Sequence, residues 1–431
     1  MIVIGIMLLC CLVSGCAPQT ALQAQRTSAR QEAPTITLLS FPDQDKEYLE
    51  AAIRSANLDF HVEIMEVPQN QYESKAQMML MGQQATDLIL VDAPNLAGYA
   101  SSGTLEPLDT YWEKSDFEDL TPSMQQSMQW KGKTWAAPLN DATCLLFYNK
   151  QLFEEAGIEA AATIEDSWDM ETLMENAIRL TKRDVYGNVL QYGLQPVMFT
   201  PDNKNEGMAY TQMLYLWWFG ADVIDPSTGE AGLRSPQALE AMQYYYDLYA
   251  THKVAPLYEI ANGFTDGKIA MWINGPWLLG VWKDNFPDFY ENGWGVMPLP
   301  HGSWRASPCG SWNVAMTKQS KHKQEAWQVI QALTGREGMK LWCEGTGNIP
   351  ARTSVMKDIH YGNMQAAYAL AIEQLNSTSR ARPVTPAYPA ISEALVNCFN
   401  SIAYGTKPEH IIAETEWKIN QALKADRNGQ E

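Results

Sequence analysis

The chain has 431 residues, 46% of them hydrophobic, which is a length and composition typical of a globular protein with two cores and excludes extensive disorder. Its 50 Asp and Glu residues exceed its 31 Lys and Arg residues, giving a formal net charge of −19. Because phosphate groups and anionic lipids bind clustered Lys and Arg, this balance argues against nucleic acid as a partner and against docking on an anionic membrane surface.

The chain opens with an almost wholly apolar stretch, residues 1–13, and turns polar directly after Cys16. The stretch is shorter than the roughly twenty residues of a transmembrane helix and has the size of a signal-peptide apolar region. The letters "VSGC" (13–16) resemble a bacterial lipobox, which implies a signal peptide over 1–15 and lipidation of Cys16. No Lys or Arg precedes Arg26, so the usual basic leader is missing, and an ordinary signal peptide with an incidental cysteine is the alternative.

The segment that follows is rich in Gln, Ala, Ser and Thr and lacks apolar periodicity. This composition predicts a flexible tether over residues 16–33. The order of these segments predicts a globular protein held at a membrane by its lipid anchor alone.

Strands and helices then alternate. The predicted elements are the strand "TITLLS" (35–40), the helix "KEYLEAAIRSA" (46–56), the strand "HVEIMEV" (61–67), a helix that ends at Gly82, and the strand "TDLILVD" (86–92). The last strand is apolar throughout, as in parallel sheets covered by helices on both faces, so the pattern predicts an α/β lobe. Ligands bind beyond the carboxyl ends of such strands, which directs attention to the loops 41–44 and 92–95.

The middle of the chain, about 149–266, is predicted to be mostly helical and is unusually aromatic, above all in "YTQMLYLWWFG" (210–220). Within it, "DPSTGE" (225–230) predicts a turn, because Pro and Gly favour the backbone angles that a turn requires.

Motifs for catalysis or metal binding are absent from the sequence: it contains no GxSxG, P-loop, GxGxxG, HExxH or Cys/His metal spacing. A pair of carboxylates for glycoside hydrolysis stays possible, because such groups meet in space rather than in sequence. Neither a cofactor nor a metal is expected.

Four cysteines follow the leader: Cys144, Cys309, Cys343 and Cys398. Their wide spacing and apolar contexts predict free buried thiols. A disulfide is the alternative outside the cytoplasm, with Cys309 and Cys343 as the expected pair.

Several tryptophans lie beside Gly and Pro rather than at helical spacing, most clearly in "NGPWLLGVW" (274–282) and "CGSWNVAM" (309–316). A Trp after Gly-Pro is expected at a turn or a helix start, where its flat face can be presented. Sugar rings pack their C–H faces on such indoles and require planar polar side chains around their hydroxyls. For any single Trp, burial in the core is the alternative.

The chain resembles the extracellular solute-binding proteins of family 1, the maltose-binding-protein-like class that serves carbohydrate ABC importers. The elements that carry the resemblance run over nearly the whole chain after the leader, in the family's order. They include "LFYNKQLFEEAGI" (146–158), "SWDMETLMENAIRLTK" (167–182), "FTDGKIAMWINGPW" (264–277), "GWGVMPLPHG" (293–302) and "GNIPAR" (347–352).

The resemblance implies two α/β lobes, joined by hinge segments, that close over a sugar in the cleft. It implies an N-terminal lobe of residues 34–141 and about 310–350, and a C-terminal lobe of about 147–308 and 351–431. It further implies a monomer outside the cytoplasm that delivers its small carbohydrate ligand to the transmembrane subunits of an ABC permease, without catalysis.

The resemblance also implies binding residues. Trp277 falls on the family's sugar-stacking Trp. Asp92, with Asp43 or Gln44, matches positions that hydrogen-bond hydroxyls, and Asp141 lies beside a position where maltose binders carry a ligand carboxylate.

Two departures argue against maltose itself. Ala142 stands at the position of that carboxylate, and Ser392 stands at the position of a second stacking Trp, near Tyr388. Further expected contacts are Trp312, Trp218 and Arg382.

Three alternatives remain at this point. The first is a surface-anchored glycan-degrading enzyme. The second is a sugar-sensing binding protein that engages a receptor kinase, and the third is an importer subunit for a peptide, a polyol or a phosphorylated glycerol.

Overall fold

The structure, a computed structural model, describes residues 33–42, 46–82 and 86–429. The predicted signal peptide, Cys16 and nearly all of the tether lie outside these ranges, as do Asp43 and Gln44. Within the three ranges, every helix is too short or too polar to cross a membrane.

The strands are β1 (Thr35–Ser40), β2 (His61–Glu66), β3 (Leu88–Asp92), β4 (Gln129–Trp130), β5 (Lys133–Thr134), β6 (Ala137–Pro138), β7 (Leu145–Asn149), β8 (Lys182–Arg183), β9 (Val189–Gln195), β10 (Ile269–Asn274), β11 (Trp294–Met297), β12 (Ser307–Cys309), β13 (Trp312–Met316) and β14 (Ser379–Ala381).

The helices are α1 (Lys46–Ser55), α2 (Gln69–Met81), α3 (Leu96–Ser101), α4 (Lys114–Glu118), α5 (Pro122–Ser127), α6 (Lys150–Ala156), α7 (Met170–Leu180), α8 (Glu206–Trp218), α9 (Pro236–Tyr246), α10 (Leu278–Asn285), α11 (Pro287–Asn292), α12 (Lys323–Thr334), α13 (Arg336–Thr346), α14 (Thr353–Asp358), α15 (Gln365–Ser377), α16 (Tyr388–Ala403) and α17 (Pro408–Gly429).

The first sheet has the strand order β2-β1-β3-β13-β6. β1 runs parallel to β2 and β3, whereas β13 returns antiparallel to β3 and β6. All five residues of β3 are buried, as expected for a strand covered on both faces. The predictions of β1, α1, β2, α2 and β3 are confirmed, and α2 ends at Gly82, whose amide donates to the carbonyl of Met78 at 3.1 Å.

The second sheet has the strand order β11-β7-β10-β9-β8. β9 and β10 are parallel, and β7 is antiparallel to β10 and β11. We call the parts built on these two sheets the first lobe and the second lobe. The prediction of an α/β fold is confirmed.

A separate small sheet lies at the passage between the lobes. In it, β12 pairs in parallel with β14, and Cys309 lies opposite Ala381. The chain crosses from the first sheet to the second between β6 and β7, and it returns after β12 to enter β13. Gly310 on the returning segment and Arg382 directly after β14 are therefore neighbours at this passage.

Two clusters of buried side chains form the core. The larger contains side chains from both sheets, such as Leu90 of β3 and Phe147 of β7, and the other packs on the opposite face of the second sheet. Because the larger cluster contains side chains from both sheets, the core does not separate at the residue limits expected for the two lobes. Those limits stay a prediction.

The four cysteines of the described chain are buried and free. The thiols expected from the sequence are thus present, and the expected Cys309–Cys343 pair is not formed. Burial raises the pKa of Cys309 to about 12, so this thiol stays protonated and unreactive at neutral pH.

Candidate functional site

Asp141 lies where the chain first passes between the lobes, and its side chain is completely buried. Its carboxylate accepts hydrogen bonds from the hydroxyls of Thr121 at 3.0 Å and Ser123 at 2.6 Å. It also accepts from the backbone amides of Ala142 at 2.8 Å and Gly310 at 3.3 Å. The side chain therefore connects the segment of Asp141 and Ala142 to the segment of Gly310, and both of these segments pass between the lobes.

The backbone of Asp141 adds a third segment, because its amide donates to the carbonyl of Ile349 at 2.9 Å. Burial raises the pKa of Asp141, and the donors around the carboxylate oppose that rise in part. With its acceptor sites used by the protein and no exposed surface, Asp141 has a hinge role in this conformation. Contact of Asp141 with a ligand, which the family resemblance implied, stays a prediction.

Asp92 is the last residue of β3, and it forms the central ion pair of the cleft with Arg382. The two guanidinium Nη atoms each donate to one carboxylate oxygen at 2.8 Å, so the pair is bidentate. Both side chains are nearly inaccessible, at 4% exposure for Arg382 and 9% for Asp92. Such planar two-point pairs are among the strongest charge-assisted hydrogen bonds, and this one connects the first sheet to the segment after β14.

Glu206, the first residue of α8, extends this ion pair into the second lobe. It accepts from Arg382 Nη1 at 2.9 Å and from the hydroxyls of Tyr388 and Ser392 at the start of α16. Burial raises the pKa of Glu206, while the Arg382 charge lowers it and Asp92 raises it further. The guanidinium also lies 4.9 Å from the centre of the Tyr210 ring, a cation–π distance.

An open cavity of about 440 Å³ adjoins this array and is bounded by both lobes. Its lining residues are polar for the most part: Glu73, Asn95, Lys204, Asn205, Glu206, Pro389, Ser392, Glu393, Val396 and Asn397. Glu73 and Asn95 come from the first lobe and the others from the second. The volume lies in the range of small-molecule sites, and its amide, hydroxyl and carboxylate groups match the hydrogen-bonding needs of hydroxyl-rich molecules.

Glu73 on α2 is the acidic group that the first lobe contributes to the cavity. Its carboxylate accepts from the Asn95 side-chain amide at 3.1 Å and from the Tyr99 hydroxyl at 2.6 Å. Burial raises the pKa of Glu73, and the bond from Tyr99 lowers it in part. Two neutral donors leave lone pairs of this carboxylate available to further hydroxyl groups.

Trp277 is half-buried at the residue that immediately precedes α10, as expected for a Trp after Gly-Pro. Its ring lies directly on Gly275, where an added Cβ would come within 2.0 Å of the ring atoms. Trp277 is not among the side chains that line the described cavity, so its contact with a ligand stays a prediction.

Two other expected aromatic contacts lie in packed surroundings. Trp218 is fully buried and donates from Nε1 to the carbonyl of Ala306 at 2.9 Å, so neither face of its ring is open. Trp312 lies in β13 rather than in a loop, and its ring centre is 4.5 Å from that of Phe41. Trp218 is therefore not included in the proposed site. Trp312 lies beside Asp92 at the end of β3 and is regarded as structural support for it.

The structure thus brings together Asp92, Arg382 and Tyr388 from the sequence expectations. The sequence did not indicate Glu73 or Glu206. A signal for Glu206 was present, because it is an acidic residue at the start of an otherwise apolar helix, where the helix dipole favours a carboxylate. Among the described residues, no group of three His, Cys, Asp or Glu side chains could hold a metal ion.

The family model described as bacterial extracellular solute-binding protein matches residues 40–340 of the chain. The chain belongs to this family. The family expected from the sequence is therefore confirmed, and with it a solute-binding role outside the cytoplasm.

Individual relatives of this solute-binding protein cover almost its full length. A Brucella abortus (strain 2308) protein, named only as a binding protein, is 26% identical over 398 residues, which are 89% of each chain. The solved structure of an ABC transporter solute-binding protein from Thermotoga lettingae, bound with α-D-tagatose, has a TM-score of 0.77 and 24% identity. An ABC substrate-binding protein from Listeria monocytogenes, in complex with cycloalternan, has a TM-score of 0.78 and 20% identity.

The two solved structures are each covered completely and align with 91% of this solute-binding protein. At these identities the likeness concerns the fold, and it confirms the expected two-lobe architecture.

Proposed function

We propose that this solute-binding protein captures a carbohydrate in the cavity between its lobes and delivers it to the transmembrane subunits of an ABC importer. The observation that carries the proposal is the 440 Å³ cavity, lined from both lobes by amide, hydroxyl and carboxylate groups. Sugars bound to similar proteins, α-D-tagatose and cycloalternan, support this ligand class.

Closure of the lobes couples binding to delivery. A solute that contacts Glu73 on one side and Glu206 or Ser392 on the other makes its full set of hydrogen bonds only when the lobes are together. It therefore shifts the population toward the closed form by its difference in affinity for the two forms. The permease then distinguishes the loaded from the empty protein by this shape.

The protein performs no reaction on its ligand and works as a monomer without a cofactor. Two of the three carboxylates that line the cavity are engaged by the protein itself: Glu206 by Arg382, Tyr388 and Ser392, and Glu73 by Asn95 and Tyr99. These donors compete with any role of Glu73 or Glu206 as the nucleophile or base of a glycosidase. A lipid on Cys16 anchors the protein to the outer face of the cell membrane.

The experiment is a thermal-shift screen of the purified protein against a panel of mono- and oligosaccharides, polyols, peptides and glycerol phosphates. A ligand that binds only the native state raises Tm, by the equivalent of about 2.7 kcal/mol at a hundredfold excess over Kd. We expect at least one sugar to raise Tm and to be recovered unchanged after prolonged incubation. Stabilisation by phosphorylated compounds alone, or turnover of any oligosaccharide, would contradict the proposal.

A further inference from the structure

The exposed face of α16 extends beyond the cavity. Pro389, Glu393 and Asn397 follow one another at intervals of four residues, so they share this face, and all three line the cavity. Ser401 continues the row at the same interval, and Tyr404 directly follows the helix. At a rise of 1.5 Å per residue, the row runs about 10 Å from Asn397 to Tyr404. One wall of the cavity therefore leads along a single helix face to Tyr404.

Tyr404 and Tyr258 form an exposed aromatic pair at the end of this row. Their side chains are 48% and 63% exposed, and their ring centres lie 6.2 Å apart with the planes inclined at 56°. Single exposed aromatic side chains are common on protein surfaces and need no explanation. Two adjoining rings at the end of a wall of the cavity, however, offer a ligand flat apolar faces beside polar phenol groups.

A second segment follows the row on α16 from the cavity to the tyrosine pair. Lys204 and Asn205 line the cavity. Two residues earlier, Asp202 lies close to Tyr404, whose pKa is raised by partial burial, by Tyr258 and by this carboxylate. The surface between the cavity and the two rings is thus bordered on one side by α16 and on the other by residues 202–205.

We propose that Tyr258 and Tyr404 form an outer subsite that binds a further sugar unit of an oligosaccharide whose first units lie in the cavity. This inference rests on the proposed function and specifies its ligand as an oligosaccharide. The two rings supply apolar faces for the C–H groups of the sugar. The Asp202 carboxylate and the Asn397 amide supply hydrogen-bonding groups for its hydroxyls.

The polar groups along the row favour a sugar chain over a protein partner at this place. Glu393, Asn397 and Ser401 lie on the exposed face of α16, and Asp202 is exposed on the other side. The centre of a protein–protein interface is depleted of charged side chains, whereas a sugar chain needs hydrogen-bonding groups along its whole length.

The position of the pair makes its effect depend on the length of the ligand. Tyr404 lies about 10 Å along the helix face from Asn397, so a monosaccharide in the cavity does not reach it. Only a longer ligand gains the contact with the two rings. A change at either tyrosine is therefore expected to weaken binding of long oligosaccharides and to leave binding of short ones as it was.

The test is titration calorimetry of the full chain with linear sugars of one to five units in the α-glucan, β-glucan, β-xylan and β-mannan series. The variants are Tyr258→Ala and Tyr404→Ala, with Tyr258→Phe and Tyr404→Phe to keep the rings. The matched control is Tyr186→Ala. It removes an 87% exposed tyrosine in the turn between β8 and β9, which belongs neither to the row nor to the cavity lining.

We expect the sugars of at least one series to bind the wild type about tenfold more tightly once they are long enough to reach the pair. Each Ala variant is expected to lose most of this gain and to bind the shortest ligand of the series as the wild type does. The Phe variants and Tyr186→Ala are expected to keep the gain. Because both tyrosines are exposed, Tm of the Ala variants is expected to stay close to that of the wild type.

Binding of a monosaccharide with no gain from further units would overturn this inference and leave the proposed function standing. A gain with length that both Ala variants retain would also overturn it, including the case in which those variants bind normally but no longer support transport, since the pair would then serve the permease. Absence of binding by every sugar of every length would overturn the proposed function as well.

Discussion

At the scale of single residues, Trp277 is the side chain for which the family resemblance implies sugar stacking, and its half-buried ring packs against the edge of the second core cluster. The ring lies on Gly275 at the start of α10, a site where an indole face can be presented to a solute. Aromatic faces of this kind contribute much of the binding energy where they pack on a ligand.

Trp277→Ala is therefore expected to weaken binding of the sugar found in the screen by about tenfold or more, with Tm nearly unchanged. Titration calorimetry measures the first effect and a thermal melt the second. The control is Trp417→Ala, which removes a 61% exposed indole on α17. A large loss of Tm in Trp277→Ala with unchanged affinity would assign Trp277 to the core instead.

Two of the predicted site residues, Trp218 and Asp141, are enclosed by the protein in this structure. The family resemblance implied Trp218 as a ligand contact, but α8 is apolar on nearly every side, and a helix of this type is buried all round. Asp141 was expected there because of its place in the chain, yet four donors enclose its carboxylate. Both outcomes depend on neighbours that are distant in sequence.

At the scale of elements, the returning segment around Gly310 has a backbone requirement of its own. Gly310 has a φ of +87°, where residues with a side chain are strained, and an added Cβ would lie 3.3 Å from the Cβ of Ala93. Gly187, in an exposed turn, has the same φ of +87°, but an added Cβ would meet nothing within 4 Å. The two glycines therefore separate the effect of backbone strain from that of packing at the hinge.

Both Gly310→Ala and Gly187→Ala are expected to lose about 1–2 kcal/mol of stability to backbone strain. Gly310→Ala should lose more stability, because Ala93 must move and the hydrogen bond from the amide of residue 310 to the Asp141 carboxylate is disturbed. Chemical denaturation of the two variants measures the difference. Equal losses would mean that the contact at Ala93 has no effect and that the hinge segment adapts freely.

The elements themselves were largely predictable, and the cavity was not. Local patterns predict β1 to β3 and the helices between them: alternation indicates β1, helical spacing indicates α1, and a continuous apolar run indicates β3. The cavity depends on Glu73 and Glu206 coming together from α2 and α8, 133 positions apart in the sequence. An acidic residue on a helix is usually solvated, and only the tertiary fold distinguishes these two from the other carboxylates.

At the scale of the whole molecule, the family, the two-lobe fold and the polar cavity agree on a protein that binds a solute between its lobes. The array of Asp92, Arg382 and Glu206 connects the two lobes at the cleft. The acidic cavity agrees with a ligand that donates hydroxyl protons and disfavours one that carries a phosphate, because like charges repel at short range.

The measurement that tests the central claim most directly is a crystal structure of the protein with the sugar selected by the screen. The account predicts density for the sugar in the cavity between the lobes, with its hydroxyls bonded to Glu73 and Asn95 on one side and to Ser392 or Asn397 on the other. A sugar bound on the surface of a single lobe, with this cavity holding only water, would contradict it.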